Sequence, residues 1–253
     1  MEPGVVYTAR TLAKDRVTRR GDATCYELVK SDFFVEAMSA LDIHLTGSTP
    51  NKKVNKFDLL LFVKTGNGSL LVSGENIELK KGTAVQIRSG EDFKYENAKD
   101  LEVIEVYVPD ASGPFGRRLT SKVSGFVRSV QQGISSKGLA TENREFEVLF
   151  DAQRGCANAT MFIGFIPTSG APAHFHLYDE ICQIISGSGS LEAFGKVQEL
   201  APGSTFPVVP RMLHSIINKR DEDLWILGVF RPQGSPAAAY YPDGTPAPGY
   251  TEV

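Results

Sequence analysis

The feature that most restricts what this chain can fold into is a pattern of turn glycines and apolar runs that occurs twice, about half a chain apart. The stretches FDLLLFVKTGNGSLLV (57–72) and EICQIISGSGSLEAF (180–194) share one plan: an apolar run, a Gly-rich tight turn and a second run, each a β-hairpin signal. Each is followed by a matching unit, IELKKGTAVQIRSGEDFKYEN in the first copy and VQELAPGSTFPVVPRMLHSIIN in the second. Registering Gly203 on Gly82 gives an offset of 121, which also pairs Gly187 with Gly66, Gly189 with Gly68 and Asn218 with Asn97. Both copies then pass through a charged turn into an apolar strand, KDLEVIEVYVP and DEDLWILGVFRP. Recurrence of several turn positions in register indicates duplication of one all-β unit. The 24 Gly and 14 Pro, spread between short apolar runs, fit many short strands.

The boundary is expected near residue 120, giving units 1–120 and 121–253, with residues 111–145 as a Gly-, Ser- and charge-rich linker. In the lead-in of the first unit, SDFFVEAMSALDIHLTG mixes a short helical turn with the approach to a strand. The tail RPQGSPAAAYYPDGTPAPGY is too rich in Pro and Gly for a core strand and is expected to lie over the surface or across an opening.

Composition excludes several function classes. With 27 basic and 30 acidic residues and a net charge of −3, the chain offers no basic field for a phosphate backbone, so nucleic acid is not an expected partner. No apolar window has the length of a membrane span or a signal peptide. Cys25, Cys156 and Cys182 lie far apart with no CxxC, which argues against a disulfide framework or a Cys-rich zinc site and for a reducing, cytoplasmic setting.

Two of the four histidines fall in HFHLYDE (174–180). Alternation along an unbroken strand sends His174, His176 and Glu180 to one face, and Phe175, Leu177 and Asp179 to the other. His214, in VPRMLHSIIN, is the remaining histidine of this copy, and His44 lies outside both patterns and reads as an ordinary polar residue.

These residues resemble the cupins. The two cupin motifs, roughly G-x5-HxH-x3-4-E-x6-G and G-x5-PxGxxH-x3-N, match at His174, His176, Glu180 and Gly187, and again at Pro210, His214 and Asn218. The leading Gly is displaced to Gly170, and Arg211 replaces the Gly of PxGxxH. The resemblance covers both copies and implies a bicupin, two tandem jelly-roll barrels. It also implies that His174, His176, His214 and Glu180 bind one divalent metal. Three imidazoles and one carboxylate suit Fe, Mn, Ni, Cu and Zn alike. In the first copy the offset puts Lys53, Asn55 and Phe93 at the histidine positions and Leu59, next to Asp58, at the glutamate, so that copy is expected to be structural or dimer-forming.

The same ligand set resembles that of the flavonol-cleaving, quercetinase-like dioxygenases, which implies a metal-dependent dioxygenase acting on a small enolic or aromatic substrate, with Glu180 as general base. A redox-neutral isomerase, lyase or decarboxylase and a non-catalytic binding cupin are the alternatives. Tyr178 is expected to border the pocket as a hydrogen-bond donor and Cys182 to be core filling, while Arg211, at the turn before His214, reads as an exposed loop arginine, with attraction of an anionic substrate as the alternative. Met161, Ile163 and Phe165 or their neighbours, with Phe206, Met212 and Trp225, are expected to make the pocket apolar. Pairing of cupins through sheet edges implies a homodimer.

Overall fold

The structure, a computed structural model, describes residues 2–30, 34, 38–110 and 125–247. The expected boundary near residue 120 and the helical turn expected in the lead-in therefore lie outside or only partly within the described residues. The chain is all-β, and its helical pieces among the described residues are three-residue 3₁₀ turns. The strands of the first half are β1 (Val17–Arg20), β2 (Ala23–Val29), β3 (Ser39–Leu45), β4 (Lys52–Lys53), β5 (Phe57–Val72), β6 (Glu75–Lys80), β7 (Thr83–Ile87) and β8 (Asp92–Pro109), and β9 (Ser129–Gln131) opens the second. The others of the second are β10 (Lys137–Leu139), β11 (Glu145–Phe150), β12 (Thr160–Ile166), β13 (Ala171–His174), β14 (Asp179–Ser186), β15 (Gly189–Ala193), β16 (Lys196–Leu200), β17 (Thr205–Val208), β18 (His214–Ile217) and β19 (Leu224–Arg231).

The offset read from the glycines carries into the strands: adding 121 moves Ser39–Leu45 onto Thr160–Ile166. It also moves β5 onto β14 plus β15, and β6 and β7 onto β16 and β17 to within a residue. Asn97 to Leu101 spans four positions and Asn218 to Leu224 six, so the last strands correspond at an offset of 123.

The Gly-rich stretches are not the expected hairpins. β5 runs through Gly66 and Gly68 as one bulged strand that pairs with β7 and β8 before the glycines and with β6 and β8 after them. In the second half β14 pairs with β17 and β19, and β15 with β16 and β18, so the chain changes sheets at Gly187 rather than reversing. Gly187 holds φ +77°, and a Cβ there would sit 2.8 Å from the Asp223 carbonyl oxygen. Glycine is needed because the strand kinks against a neighbouring backbone. The reversals come one strand later, at Ser73-Gly74 and Phe194-Gly195.

The first half, with β9 added at one edge, makes one nine-stranded sheet, with β5 and β8 bending through it. The second makes a six-stranded sheet, β10-β11-β12-β19-β14-β17, and a four-stranded sheet, β13-β18-β15-β16. Ile184, Phe206 and Ile226 of one sheet and Leu191, Ala193 and Ile216 of the other share a buried core between them, the arrangement of a jelly roll.

Two segments cross between the halves. Tyr7 exchanges backbone hydrogen bonds with Thr205 on β17 (2.7 and 2.8 Å), while β9, downstream of the expected boundary, pairs with β7 of the first half. A shared core cements the exchange: Leu60, Phe62 and Val106 of the first half pack with Met161, Ile163 and Val229 of the second. Each such side chain contributes roughly 1.5–3 kcal/mol by leaving water. All three cysteines are buried and unbonded to one another, and among the described residues no helix is long and apolar enough to cross a membrane.

Candidate metal centre

HFHLYDE is not one strand. β13 ends at His174, residues 176–178 turn, and β14 begins at Asp179 in the other sheet. The parity argument therefore fails at its premise, yet His174, His176 and Glu180 all remain inside, because the chain corners around the space between the two sheets. His214 opens β18 directly opposite His174 in the ladder. The three histidines are buried, with ligand nitrogens within 4.8 Å of one another. Their ring centroids lie 4.4 to 5.2 Å apart.

Hydrogen bonding fixes which nitrogen faces the cluster. Nδ1 of His174 lies 2.7 Å from the Pro172 carbonyl, Nδ1 of His176 3.1 Å from that of Ala238, and Nδ1 of His214 3.0 Å from that of Met212. A carbonyl only accepts, so each Nδ1 carries the proton and each Nε2 keeps its lone pair. Burial first, then mutual repulsion with its neighbours, holds His174 well below the ordinary imidazole range; burial pushes His176 down to about 3 and His214 to about 4. Three neutral imidazoles oriented by backbone carbonyls fit a divalent transition metal, since ligating histidines donate their other ring N–H in this way.

Glu180 stands beside this cluster. The metal-capable group among the described residues is the three histidines, and Glu180 Oε2 lies 3.7 Å from His176 Nε2. Burial raises its carboxyl to about 8, opposed by a hydrogen bond with Cys182. The carboxylate has room because β19 carries a glycine opposite: a Cβ on Gly228 would lie 2.6 Å from Glu180 Oε1 and closer still to the Phe162 ring. Cys182 is thus both core filling and a hydrogen-bond partner of Glu180, a role the sequence does not reveal. Tyr178 is buried with its ring stacked between His176 (4.6 Å) and Phe230 (4.1 Å). Burial raises its phenol well above the ordinary range, so it keeps its proton. Asp179 takes the other face of β14, in register with Arg231.

A cavity of about 60 Å³ adjoins the histidines. Of the residues expected to line it, Met161 and Ile163 turn instead into the core between the halves, and Trp225 packs against that core. Phe206 and Met212 lie in the core of the jelly roll itself. The alternate residues of β12, Phe162, Gly164 and Ile166, face the cavity, with Phe165 at its edge. Arg211 is exposed and away from the cavity; it holds φ +65°, the conformation its motif reserves for glycine, and its N–H donates to the His176 carbonyl at 2.7 Å. The cavity cation is Arg144, in a stretch expected from the sequence to be linker. No local pattern marks Arg144, since only the packing of β11 beside β12 brings it there.

The Pro- and Gly-rich tail crosses this end of the molecule. Phe175 and Tyr240 exchange backbone hydrogen bonds (3.0 Å each) and stack their rings at 5.3 Å, Pro236 lines the cavity, and Ala238 orients His176. His44 sits half-exposed on β3 against Tyr26, far from the cluster in the fold.

No family model and no curated protein matches the chain. Solved structures do. Protein Ylba from E. coli superposes with a TM-score of 0.73 at 12% identity, covering 89% of each chain. A cupin 2 conserved barrel domain protein from Leptotrichia buccalis gives 0.62 at 11%, over 91% of this chain and 98% of that one. A point mutant of Bacillus subtilis oxalate decarboxylase gives 0.70 at 12%, over 96% of this chain and 80% of that one. The chain has the cupin fold.

Proposed function

We propose that this protein is a metal-dependent cupin enzyme built as two tandem barrels, with the metal held in the second by His174, His176 and His214 and completed by Glu180. The observation that carries the reading is the shared orientation of the three imidazoles, each with Nδ1–H on a backbone carbonyl and Nε2 turned to a common point. Such a set leaves coordination positions for a substrate oxygen. A divalent metal there supplies Lewis acidity, and a redox-active one also electron transfer to dioxygen. The chain's own residues do the rest. Phe162, Ile166 and Ile226 exclude water, Tyr178 braces His176, and Glu180 takes a proton from a bound enol or hydroxyl.

The reaction we assign first is oxygen-dependent cleavage of a small enolic substrate, with a homodimer as the assembly. The cavity volume favours a compact molecule over a polycyclic one, being far below the roughly 300 Å³ at which drug-sized pockets begin. A redox-neutral decarboxylase or lyase is the second reading, favoured by the likeness of the fold to oxalate decarboxylase. Metal analysis of the purified protein tests the shared premise: about one equivalent is expected, and less than a tenth of one after attempted reloading would end both readings. Oxygen uptake during turnover of short enolisable acids then separates them.

A further inference from the structure

We infer that the Pro- and Gly-rich tail is a strap coupled to the metal centre, with Tyr240 as the positioning residue that sets the His176 imidazole. The inference rests on the proposed function for the metal. It starts from a gap in the ladder: β13 meets β18 in a broken register and ends at His174, so Phe175 and His176 leave the sheet where two ligands must be held. The tail supplies the missing neighbour. Phe175 and Tyr240 form an isolated antiparallel bridge, and their rings stack 10° from parallel. Two residues before Tyr240, the Ala238 carbonyl accepts from His176 Nδ1–H at 3.1 Å. The N–H of Arg211 holds the His176 backbone, and stacking on Tyr178 fixes the plane of its ring. Neither decides which edge of the ring faces the cluster, because a half-turn about Cβ–Cγ keeps both contacts. That choice falls to the Ala238 carbonyl, and so to the Phe175–Tyr240 clamp that presents it.

The strap is held lightly enough to respond. Gly234 N–H donates to Thr160 Oγ1 at 3.0 Å at one end, and the far end folds back on itself, with Tyr241 N–H on the Thr245 carbonyl and Ala247 N–H on that of Ala239, both at 2.9 Å. Its buried side chains Ala237, Ala239 and Ala247 bring little apolar area, and residues 242–246 are exposed. Nδ1–H becomes a stronger donor when Nε2 of the same ring gives its lone pair to a cation, so an occupied site tightens the bond to Ala238. Linkage makes the effect mutual: whatever factor the docked strap adds to metal affinity, the metal adds to docking of the strap. Pro236, on the same strap, lines the cavity, so the state of the metal also sets how firmly that wall is closed.

The test uses the full-length protein, with zinc ion as the probe. In the metal-free wild type, nitrogen NMR of the imidazoles should show Nδ1–H on all three histidines. Tyr240→Ala should turn His176 into a mixture of tautomers and leave His174 and His214 as they were, since Pro172 and Met212 hold them from outside the tail. The same variant should weaken zinc binding about ten-fold in competition with a chelating dye, within the range that partners of ligating histidines contribute. Tyr240→Phe, which keeps the stacked ring, should match the wild type in both measurements. Zinc loading of the wild type should slow hydrogen exchange across residues 235–247, and Tyr240→Ala should lose most of that slowing. An unchanged His176 tautomer in Tyr240→Ala, or its loss in all three histidines together, would overturn the inference. So would zinc affinity equal to wild type, or exchange of the tail that ignores zinc. Failure of the wild type to hold zinc strikes the proposed function instead, and the tautomers of the metal-free protein still decide for or against Tyr240.

Discussion

The interiors of the two halves solve the same problem in opposite ways. Each places polar groups at the centre of an apolar β-structure, where an unpaired charge costs several kcal/mol. In the first half the charged groups pair with one another, although Arg20 Nε has no hydrogen-bond partner. Arg20 grips the fully buried Glu105 through two hydrogen bonds (2.6 and 3.2 Å), and Tyr95 and Tyr107 donate to the same carboxylate at 2.9 and 2.6 Å. Lys52 donates to Tyr107 at 2.7 Å and lies over its ring. Burial would raise Glu105, but the charge and hydrogen bonds of Arg20 override it and hold the carboxyl below its ordinary range. In the second half backbone carbonyls accept from the backs of the histidines, and three lone pairs face one point. Paired charges hold a fold together, whereas converging lone pairs are the arrangement that a metal ion would take.

The strand register shows where the two centres differ. At the offset of 123, Glu105 corresponds to Gly228, and at 121 Leu59 corresponds to Glu180 and Phe93 to His214. The buried acid stands on β8 in one half and on β14 in the other, and the glycine on β19 makes room for the latter. Lys53 and Asn55, at the places of His174 and His176, are exposed.

The largest expected effect comes from breaking the closed network. Glu105→Ala leaves Arg20 buried without its carboxylate and should cost about 3–5 kcal/mol in urea unfolding. His176→Ala should instead remove metal retention and leave the stability of the metal-free protein within about 1 kcal/mol. Equal destabilisation by the two would erase the distinction between the centres. Next in size, Gly228→Ala drives a methyl into Glu180 and Phe162 and should cost about 1–3 kcal/mol, along with a measurable drop in metal affinity.

Proton linkage sharpens the contrast further. With Glu180 at about 8, the metal-free protein holds this proton at pH 7, and metal loading should release about one, read in weakly buffered indicator dye and absent in Glu180→Gln. The sign for stability is opposite for the histidines. His176 at about 3 and His214 at about 4 bind fewer protons folded than unfolded between those values and about 6.5, so the metal-free protein should lose stability as pH falls through that window. Replacing both histidines should flatten the melting temperature there. The smallest effect is Arg211→Gly, which relieves a side chain held at φ +65° and should raise stability by about 1 kcal/mol in thermal melts.

Much of this was legible in the sequence because it is written locally. Turn glycines at constant spacing report where a strand must kink, so the repeat and the all-β class follow from Gly66, Gly187 and their partners alone. The histidines are legible for a similar reason, since a metal centre needs particular residue types at particular spacings. The meaning of the glycines is not legible in the same way, as a kinked strand and a hairpin place glycine in the same pattern and differ only in which strands pair afterwards. Arg144 and the exchange of Tyr7 and β9 between the halves carry no local signature. Their roles depend on which edges meet, a property of strand pairing between distant segments. Sequence by itself thus determined the repeated β-architecture and the residues that meet in the histidine cluster. Tertiary structure alone decided the face each turns to, through the backbone carbonyls of Pro172, Met212 and Ala238, and brought a cation from another strand to the cavity.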